Sequence, residues 1–231
     1  MCRIIEFIMT GINIIGQLRN LLESDTDSRV RVLAFLSALI AESSLGNMKA
    51  AIEYLRNEEF DSIAIYEAIL QSYLFLGFPR MIEAALVHNE VYGDISYSHQ
   101  GDFAKISDNE SIEWYENGVN LCRQVYGKNY DRLKQKFLDM SPEIFRWMVN
   151  EGYGKVLTRP GLNSIERELA EVAALIVDER KRQLHSHVIG SLNVGAGIDL
   201  IRQINIDIKP ISGDRAFHTA EAILEKVCLK Q

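Results

Sequence analysis

The chain has 231 residues, a net charge of −7 and a sequence pI near 5.3, with 47% hydrophobic and 25% charged residues. This composition is typical of a globular protein, and a chain of this length buries a sizeable core without disulfides or metals. Nucleic-acid binders normally carry a basic domain or stripe, so the acidic balance argues against that class. The one basic run, "ERKRQLH", is typical of a solvated helix end.

Three cysteines, Cys2, Cys122 and Cys228, lie far apart and form no Cys-x-x-Cys pair. We therefore expect neither a disulfide framework nor a zinc ribbon, and we predict a cytoplasmic location. The apolar start "MCRIIEFIMTGINIIGQLRN" is interrupted by Glu6 and is too short to span a bilayer. We interpret residues 1–28 as an N-terminal helix that is buried or packs between subunits, and we expect no membrane partner.

Apolar residues with a period near 3.6 and only four prolines predict an all-α protein. The predicted helices cover residues 29–55 with a break near 46, then 62–77, 78–93, 111–127, 132–140, a helix from 142 that stops near 152 or 154, and a helix from 164. The predicted caps and turns are Pro79 in a first turn, Gly93 as a C-cap, Ser141 before Pro142, a Pro160-Gly161 turn, and a capping box of Asn163 with Glu166. No segment alternates with period two, so no strand is predicted.

The chain also matches itself when it is shifted by 136 positions. Arg31 then meets Arg167, Gly77 meets Gly213, and the string "ALI" at 38–40 meets "ALI" at 174–176. Self-similarity at a fixed period indicates a repeated structural unit. We predict an N-terminal helix (1–28), a first repeat (29–93), a helical connector (94–164) and a second repeat (165–231).

Glu168 and His187 are the first candidates for chemistry. Glu168 lies in the first turn of a predicted helix, and a hairpin of two helices would bring His187 close to it. A carboxylate beside an imidazole orients the ring and tunes its pKa for acid–base work. In the alternative interpretation, Glu168 only complements the helix dipole and His187 only binds a carbonyl.

A metal site is not predicted. His185 and His187 are two residues apart, so on a helix they point to different faces. The paired histidines of helical metalloproteases are absent. A further ligand would have to come from a carboxylate or from another histidine, namely His88, His99 or His218.

Other strings are interpreted structurally or left open. Cys122 lies mid-helix beside Arg123 and is predicted to be a buried structural cysteine. The string "NVGAG" at 193–197 follows a helix, so it indicates a helix stop and not a dinucleotide site. The aromatic residues Tyr73, Phe75 and Phe78 in "YLFLGFPR" line a pocket or fill a core.

Several strings together resemble the carboxymuconolactone decarboxylase family. "YLFLGFPRMIEAA" resembles that family's Tyr-x-Gly-Phe-Pro corner, and "RELAEVAALI…RQLHSHVIGSLNVGAG" resembles its second signature. "WMVNEGYGKVLTRPGL" is similar to the connector of members with two units in one chain. The strings cover most of residues 29–229. The resemblance implies an all-helical fold of the alkyl hydroperoxidase D type and a homo-oligomer (trimer, dimer or hexamer).

The resemblance carries over to particular residues only in part. In the thiol-dependent branch, a glutamate lies nineteen residues before the histidine of a Cys-x-x-Cys-x-x-x-His motif. Glu168 and His187 match these two residues, but the cysteine positions fall on Arg180 and Gln183, so the dithiol is missing. In the first repeat, the four positions hold none of the functional groups: Val32, Ser44, Asn47 and Ala51. The resemblance therefore places the site in the second unit.

The lactone decarboxylase branch works without a dithiol. The resemblance then implies cofactor-free acid–base chemistry on a small carboxylated lactone, with His187 as proton donor and Glu168 as its orienting partner. The expected substrate-binding residues are Arg180 or Arg182 for a carboxylate, assisted by Gln183, His185, Tyr73 and Phe78. Two alternatives remain open: a thiol peroxidase relative that uses Cys122, and a non-catalytic helical binding or assembly protein.

Overall fold

The computed structural model of the protein describes residues 14–24, 26–93 and 108–229, and the described chain is all-α with no strand. Residues 14–22 are helical and are called α1 here. The following helices are α2 (Ser28–Glu42), α3 (Leu45–Asn57), α4 (Ser62–Tyr92), α5 (Asp108–Tyr126), α6 (Tyr130–Met140), α7 (Pro142–Trp147), a π-helix (Met148–Val156), α8 (Ser164–Val177), α9 (Lys181–Asn193), α10 (Ile198–Asp207) and α11 (Lys209–Cys228). A short 3-10 turn, Gly127–Asn129, joins α5 to α6. Within the described residues, no helix is long and apolar enough to cross a lipid bilayer.

The helices of residues 28–92 and 164–228 have matching bounds. A shift of 136 positions takes both ends of α3 onto both ends of α9. The same shift takes the first residue of α4 to the first of α10, and the last residue of α4 to the last of α11. We call these two sets of helices the first and the second unit. The match is close but not complete, because α8 is one residue shorter than α2 and the single helix α4 corresponds to α10 and α11, which are separated at Ile208.

The backbone breaks correspond in the same way. Gly77 (φ 80°) interrupts α4, and Gly213 (φ 76°) interrupts α11 at the equivalent position. Ser43 and Glu179, which follow α2 and α8, both adopt the left-handed conformation. A non-glycine residue in that region is uncommon, so this pair shows that the two turns share their local geometry.

The two units share one hydrophobic core, in which α2 packs along α8 at the centre. Polar contacts cross between the units in both directions. Arg167 of α8 donates to Gln71 Oε1 (2.9 Å) and Glu67 Oε2 (3.1 Å) on α4. Arg31 of α2, at the equivalent position, donates to both carboxylate oxygens of Asp207 on α10 (2.7 and 2.9 Å). Each central helix therefore binds the outer helices of the other unit.

Residues 108–157 form a second cluster, in which α5 crosses the π-helix at very short range. A Cβ at Gly118 would lie 2.1 Å from the carbonyl oxygen of Val149, and one at Gly154 would lie 1.9 Å from that of Trp114. The prediction that a helix stops near Gly152 or Gly154 is wrong, because the chain stays helical to Val156. Gly154 permits close helix packing there and does not end the helix.

Most of the other local predictions are confirmed. Ser141 caps α7 with Pro142 in the first turn, and Asn163 forms the capping box with Glu166. The predicted break near residue 46 lies at Ser43 and Ser44. Residues 1–13 of the predicted N-terminal helix and 94–107 of the connector lie outside the described residues.

The helix crossing generates the first prediction. Gly154→Ala places a methyl group against backbone that cannot rotate away, so we expect the free energy of unfolding to fall by about 3 kcal/mol. Gly152 lies in the same π-helix with no atom within 4 Å of its added Cβ. Gly152→Ala should leave stability unchanged or raise it by about 1 kcal/mol. Urea denaturation measures both, and equal effects of the two variants would contradict the packing role.

Candidate active site

A pair of buried glutamates on α8 forms the base of the candidate site. Glu168 and Glu171 are three residues apart, a spacing that places both side chains on the same helix face. They are 3% and 1% exposed. Because α8 is the central helix of the second unit, its neighbours remove both carboxylates from water. A buried carboxylate is unfavourable unless a proton, a cation or hydrogen bonds stabilise it.

His187, on the adjacent helix α9, supplies that partner. Its Nδ1 lies 3.1 Å from Glu168 Oε2 and 2.9 Å from Glu171 Oε2. Only the contact with Glu168 has the alignment of a hydrogen bond, and neither oxygen of Glu171 has a hydrogen-bond partner in the described part of the chain. The imidazole therefore serves two carboxylates with one nitrogen. These three residues are called the Glu–Glu–His cluster below.

A glycine and an aromatic ring pack against the cluster. A Cβ at Gly190 would lie 2.7 Å from Glu168 Oε2, so α9 can approach this carboxylate because that position is glycine. Phe75, from α4 of the first unit, meets the ring of His187 edge-on, with centroids 5.2 Å apart. The side chain of His187 is 8% exposed, against 4% for Glu168 and 1% for Glu171. The imidazole is thus the most accessible part of the cluster.

Burial and charge shift the pKa values of the cluster. Burial raises the pKa of Glu171, the charge of Glu168 raises it further, and His187 opposes both, leaving it at about 7. Burial alone would lower the pKa of His187, but the charge and hydrogen bond of Glu168, followed by the adjacent carboxylate of Glu171, raise it to about 10. At neutral pH the imidazole is therefore protonated, and Glu171 lies near the midpoint of its titration.

This arrangement has two chemical capabilities. A protonated imidazole between carboxylates can donate a proton and take it back, which is general acid–base chemistry. One nitrogen and two carboxylate oxygens also lie within 4.8 Å of one another, close enough to bind a single divalent cation. No metal site is predicted from the sequence, because His185 and His187 point to different helix faces, and Glu171 is not among the candidate ligands there.

The polar residues predicted to bind substrate lie on the outer side of α9. Arg180 is exposed, and its Nε donates to Asp178 Oδ2 at 2.6 Å. Arg182 and Gln183 are exposed. Arg182 and half-buried His185 border a groove between α9 and α11. His187 is not in the lining of that groove, so the structure does not bring these four side chains to the cluster.

The aromatic corner of the first unit reaches the cluster through one of its three residues. Tyr73 stacks on Phe78 with centroids 4.8 Å apart, and its hydroxyl donates to Glu151 Oε1 at 3.0 Å. Phe78 itself is 57% exposed. Phe75, which was not selected as a site residue, is the one that touches His187.

The prediction that Cys122 is a buried cysteine is confirmed. Cys122 is fully buried, and burial, with the charge of Glu168, raises the pKa of its thiol to about 12. Tyr126 and Tyr153 lie on the same side of the cluster, where burial raises the pKa of both hydroxyls. A thiol in this surrounding stays protonated at neutral pH and is a poor nucleophile.

Glu171 is the residue that the sequence analysis missed. The family motif pointed to Glu168 alone, because only that glutamate has the separation of nineteen residues from His187. The signal was nevertheless present, since Glu168 and Glu171 are one helical turn apart in an otherwise apolar segment. Two carboxylates on the buried face of one helix require a shared counter-charge, which His187 supplies.

Comparison with known proteins gives two relatives. The protein named Peroxisomal protein 2, from Schizosaccharomyces pombe, is 26% identical over 189 residues, covering 81% of this chain and 86% of that protein. The 4-carboxymuconolactone decarboxylase of Acinetobacter baylyi is 24% identical over 116 residues, covering 48% of this chain and 87% of that enzyme. No family model matches the chain. The chain is thus an all-α protein with distant similarity to carboxymuconolactone decarboxylase.

The cluster generates a prediction about pH. The folded pKa values of Glu171 and His187 both lie above their ordinary values, so the folded protein holds protons that the unfolded chain releases. The stability from these protons is complete below about pH 4.5 and is lost as pH rises, through about 7 for Glu171 and about 10 for His187. Urea denaturation at pH 5, 7 and 9 should show a falling free energy of unfolding.

One variant isolates the contribution of Glu171 to the pH dependence of the free energy of unfolding. Glu171→Gln removes the titrating carboxyl group, so the decrease between pH 5 and pH 7 should become smaller. The matched control is Glu113→Gln, which changes an exposed carboxylate on α5 and should reproduce the original pH profile. Parallel profiles for the wild type and Glu171→Gln would contradict the assignment.

Proposed function

We propose that the protein is a carboxymuconolactone-decarboxylase-like enzyme that performs acid–base chemistry at the Glu–Glu–His cluster. The observation that carries this proposal is the position of a buried imidazole nitrogen within 3.1 Å of two carboxylates. The distant similarity to 4-carboxymuconolactone decarboxylase supports the choice of reaction class. The proposed substrate is a small carboxylated lactone, and the proposed reaction is its decarboxylation.

The chemistry follows from the charge state of the cluster. Loss of CO₂ leaves the bonding electron pair on carbon as a dienolate, and that carbon must then be protonated. His187 is protonated at neutral pH and donates this proton, while Glu168 orients the ring. Glu171, with its pKa near 7, stabilises the imidazolium when ionised and is the proton store for the next turnover. No cofactor enters these steps.

The placement of the site in the second unit has support from both halves of the chain. The equivalent positions in the first unit are apolar and fully buried: Val32, Phe35 and Ala51. The decarboxylase relative matches about half of this chain, as expected if each unit corresponds to a single-unit protein. We therefore propose a tandem duplication in which the first unit lost its polar site and now supplies Phe75. A homo-oligomer remains part of this proposal.

Substitutions in the cluster test the function. With 4-carboxymuconolactone as the probe, we expect measurable CO₂ release by the wild type. His187→Ala and Glu168→Gln should lower kcat/KM at least about 100-fold, the usual minimum contribution of a positioned general acid. The control Glu113→Gln should keep the wild-type rate. Each variant is first shown to be folded by its urea denaturation curve.

The outcomes separate the alternatives. Full turnover by folded His187→Ala would remove the proposal, and a wild type without turnover would favour a non-catalytic binding or assembly role. Activity that is lost on chelation and restored by a divalent cation would assign the three side chains to a metal instead. The peroxidase alternative has no support from Cys122, whose thiol is buried and protonated.

The location within the cell is a separate proposal. The cysteine pattern favours a reducing compartment such as the cytoplasm, and the Schizosaccharomyces pombe relative is named as a peroxisomal protein. A fluorescent fusion of the full chain distinguishes these two compartments.

A further inference from the structure

A groove of about 790 Å³ lies between α9 and α11, on the outer side of α9. Its volume is in the range of small-molecule sites, roughly 300–1,000 Å³. The lining includes Lys181, Arg182 and His185 from α9, and His218, Ile223 and Lys226 from α11. No carboxylate is in this lining, although the whole chain carries a net charge of −7.

The three permanent cations of the groove are not neutralised by the protein. Within the described residues, Lys181, Arg182 and Lys226 take part in no ion pair. The arginines just outside the groove are different, since Arg180 binds Asp178 and Arg215 binds Glu179. Asp178 and Glu179, the carboxylates that directly precede α9 in the sequence, are therefore already paired, and the three groove cations keep their charge available to an external anion.

The equivalent positions of the first unit show that helix packing does not require these cations. Residues Leu45 and Gly46 begin α3 where Lys181 and Arg182 begin α9, and the two helices have the same length. The backbone is therefore formed equally well with uncharged residues at this turn. The charge in the second unit calls for an explanation other than folding.

The same comparison holds for the other wall. Along α4, Ile82 and Leu86 are 49% and 58% exposed, and they make the equivalent face apolar. Glu90 stands at the position equivalent to Lys226 and pairs with Lys49 at 2.8 Å. The same helix arrangement therefore has an apolar surface with a paired Lys49 and Glu90 in the first unit, and a cationic groove in the second unit.

The apolar part of the lining defines the rest of the ligand. Ala222 and Ile223 of α11 add apolar surface to the groove that the cations line. An inorganic anion would leave this surface in water, whereas an uncharged apolar molecule would leave the cations without partners. We propose that the groove binds an organic anion, consisting of an apolar chain that lies on Ala222 and Ile223 and an anionic head group held by Lys181, Arg182 and Lys226.

Calorimetry on the full chain tests this site. The probes are octanoate and octyl phosphate, which combine a chain with two different anionic heads, and octanol and acetate, which each lack one part. We expect one molecule of octanoate or octyl phosphate per chain, and the tighter of the two identifies the head group. Octanol and acetate should bind at least about tenfold more weakly.

Two charge-matched variants assign the binding to the groove. Lys226→Glu introduces the residue that the first unit carries at this position and should weaken the bound anion about tenfold or more, because an attraction becomes a repulsion. Lys128→Glu makes the same change in net charge on an exposed residue of the 3-10 turn and should leave the affinity unchanged.

The contrary results are equally definite. Equal losses in the two variants, octanol binding as tightly as octanoate, or no binding of either anion to the folded wild type would overturn the proposal. Self-association of the wild type that Lys226→Glu abolishes, measured by sedimentation, would show that a second copy occupies the groove. Retained decarboxylase activity in Lys226→Glu separates this groove from the Glu–Glu–His cluster.

Discussion

Two arginines, the buried Arg167 and the half-buried Arg31, hold the units of this protein against each other. The side chain of Arg167 on α8 binds Glu67 and Gln71 on α4, and the side chain of Arg31 on α2 binds Asp207 on α10. A buried guanidinium without its partner would be strongly destabilising, so the contacts of Arg167 in particular oppose sliding of one unit along the other. This fixed register brings Phe75 of the first unit onto the imidazole of the second. The candidate site therefore depends on contacts between units as much as on its own helices.

The two units have the same helix arrangement but very different side chains at equivalent buried positions. At three equivalent positions the second unit holds two carboxylates and a histidine, while the first holds Val32, Phe35 and Ala51. Apolar filling is the less demanding solution, because a buried carboxylate must be matched by charge or hydrogen bonds. Keeping Glu171 without a hydrogen bond is unfavourable for folding. Such a group is a common feature of sites that move protons, where a carboxyl pKa near neutrality is useful.

Local sequence signals predict the all-α fold and two of the three residues of the cluster, Glu168 and His187. Ser141 with Pro142 predicts a helix start from local chemistry alone. The separation of nineteen residues between Glu168 and His187 predicts their contact because the loop between their two helices is short. The prediction for Gly154 is wrong because a glycine can either end a helix or allow another helix to pack closely against it. Which of the two applies depends on α5, the helix packed against Gly154. Glu171 was missed because its role depends on sharing one imidazole, which is a property of the packed pair of helices.

The two faces of α9 account for the separation of Arg182 and His185 from the Glu–Glu–His cluster. Successive residues of a helix turn by about 100°, so Arg182 and His185 share one face while His187 points to nearly the opposite side. The motif treated these neighbours as one site because they are adjacent in sequence. In the structure, the inner face holds a histidine between buried carboxylates, and the outer face holds cations without carboxylates. A single helix thus separates an acid–base cluster from an anion-binding groove, and substitutions on one face can be made without disturbing the other.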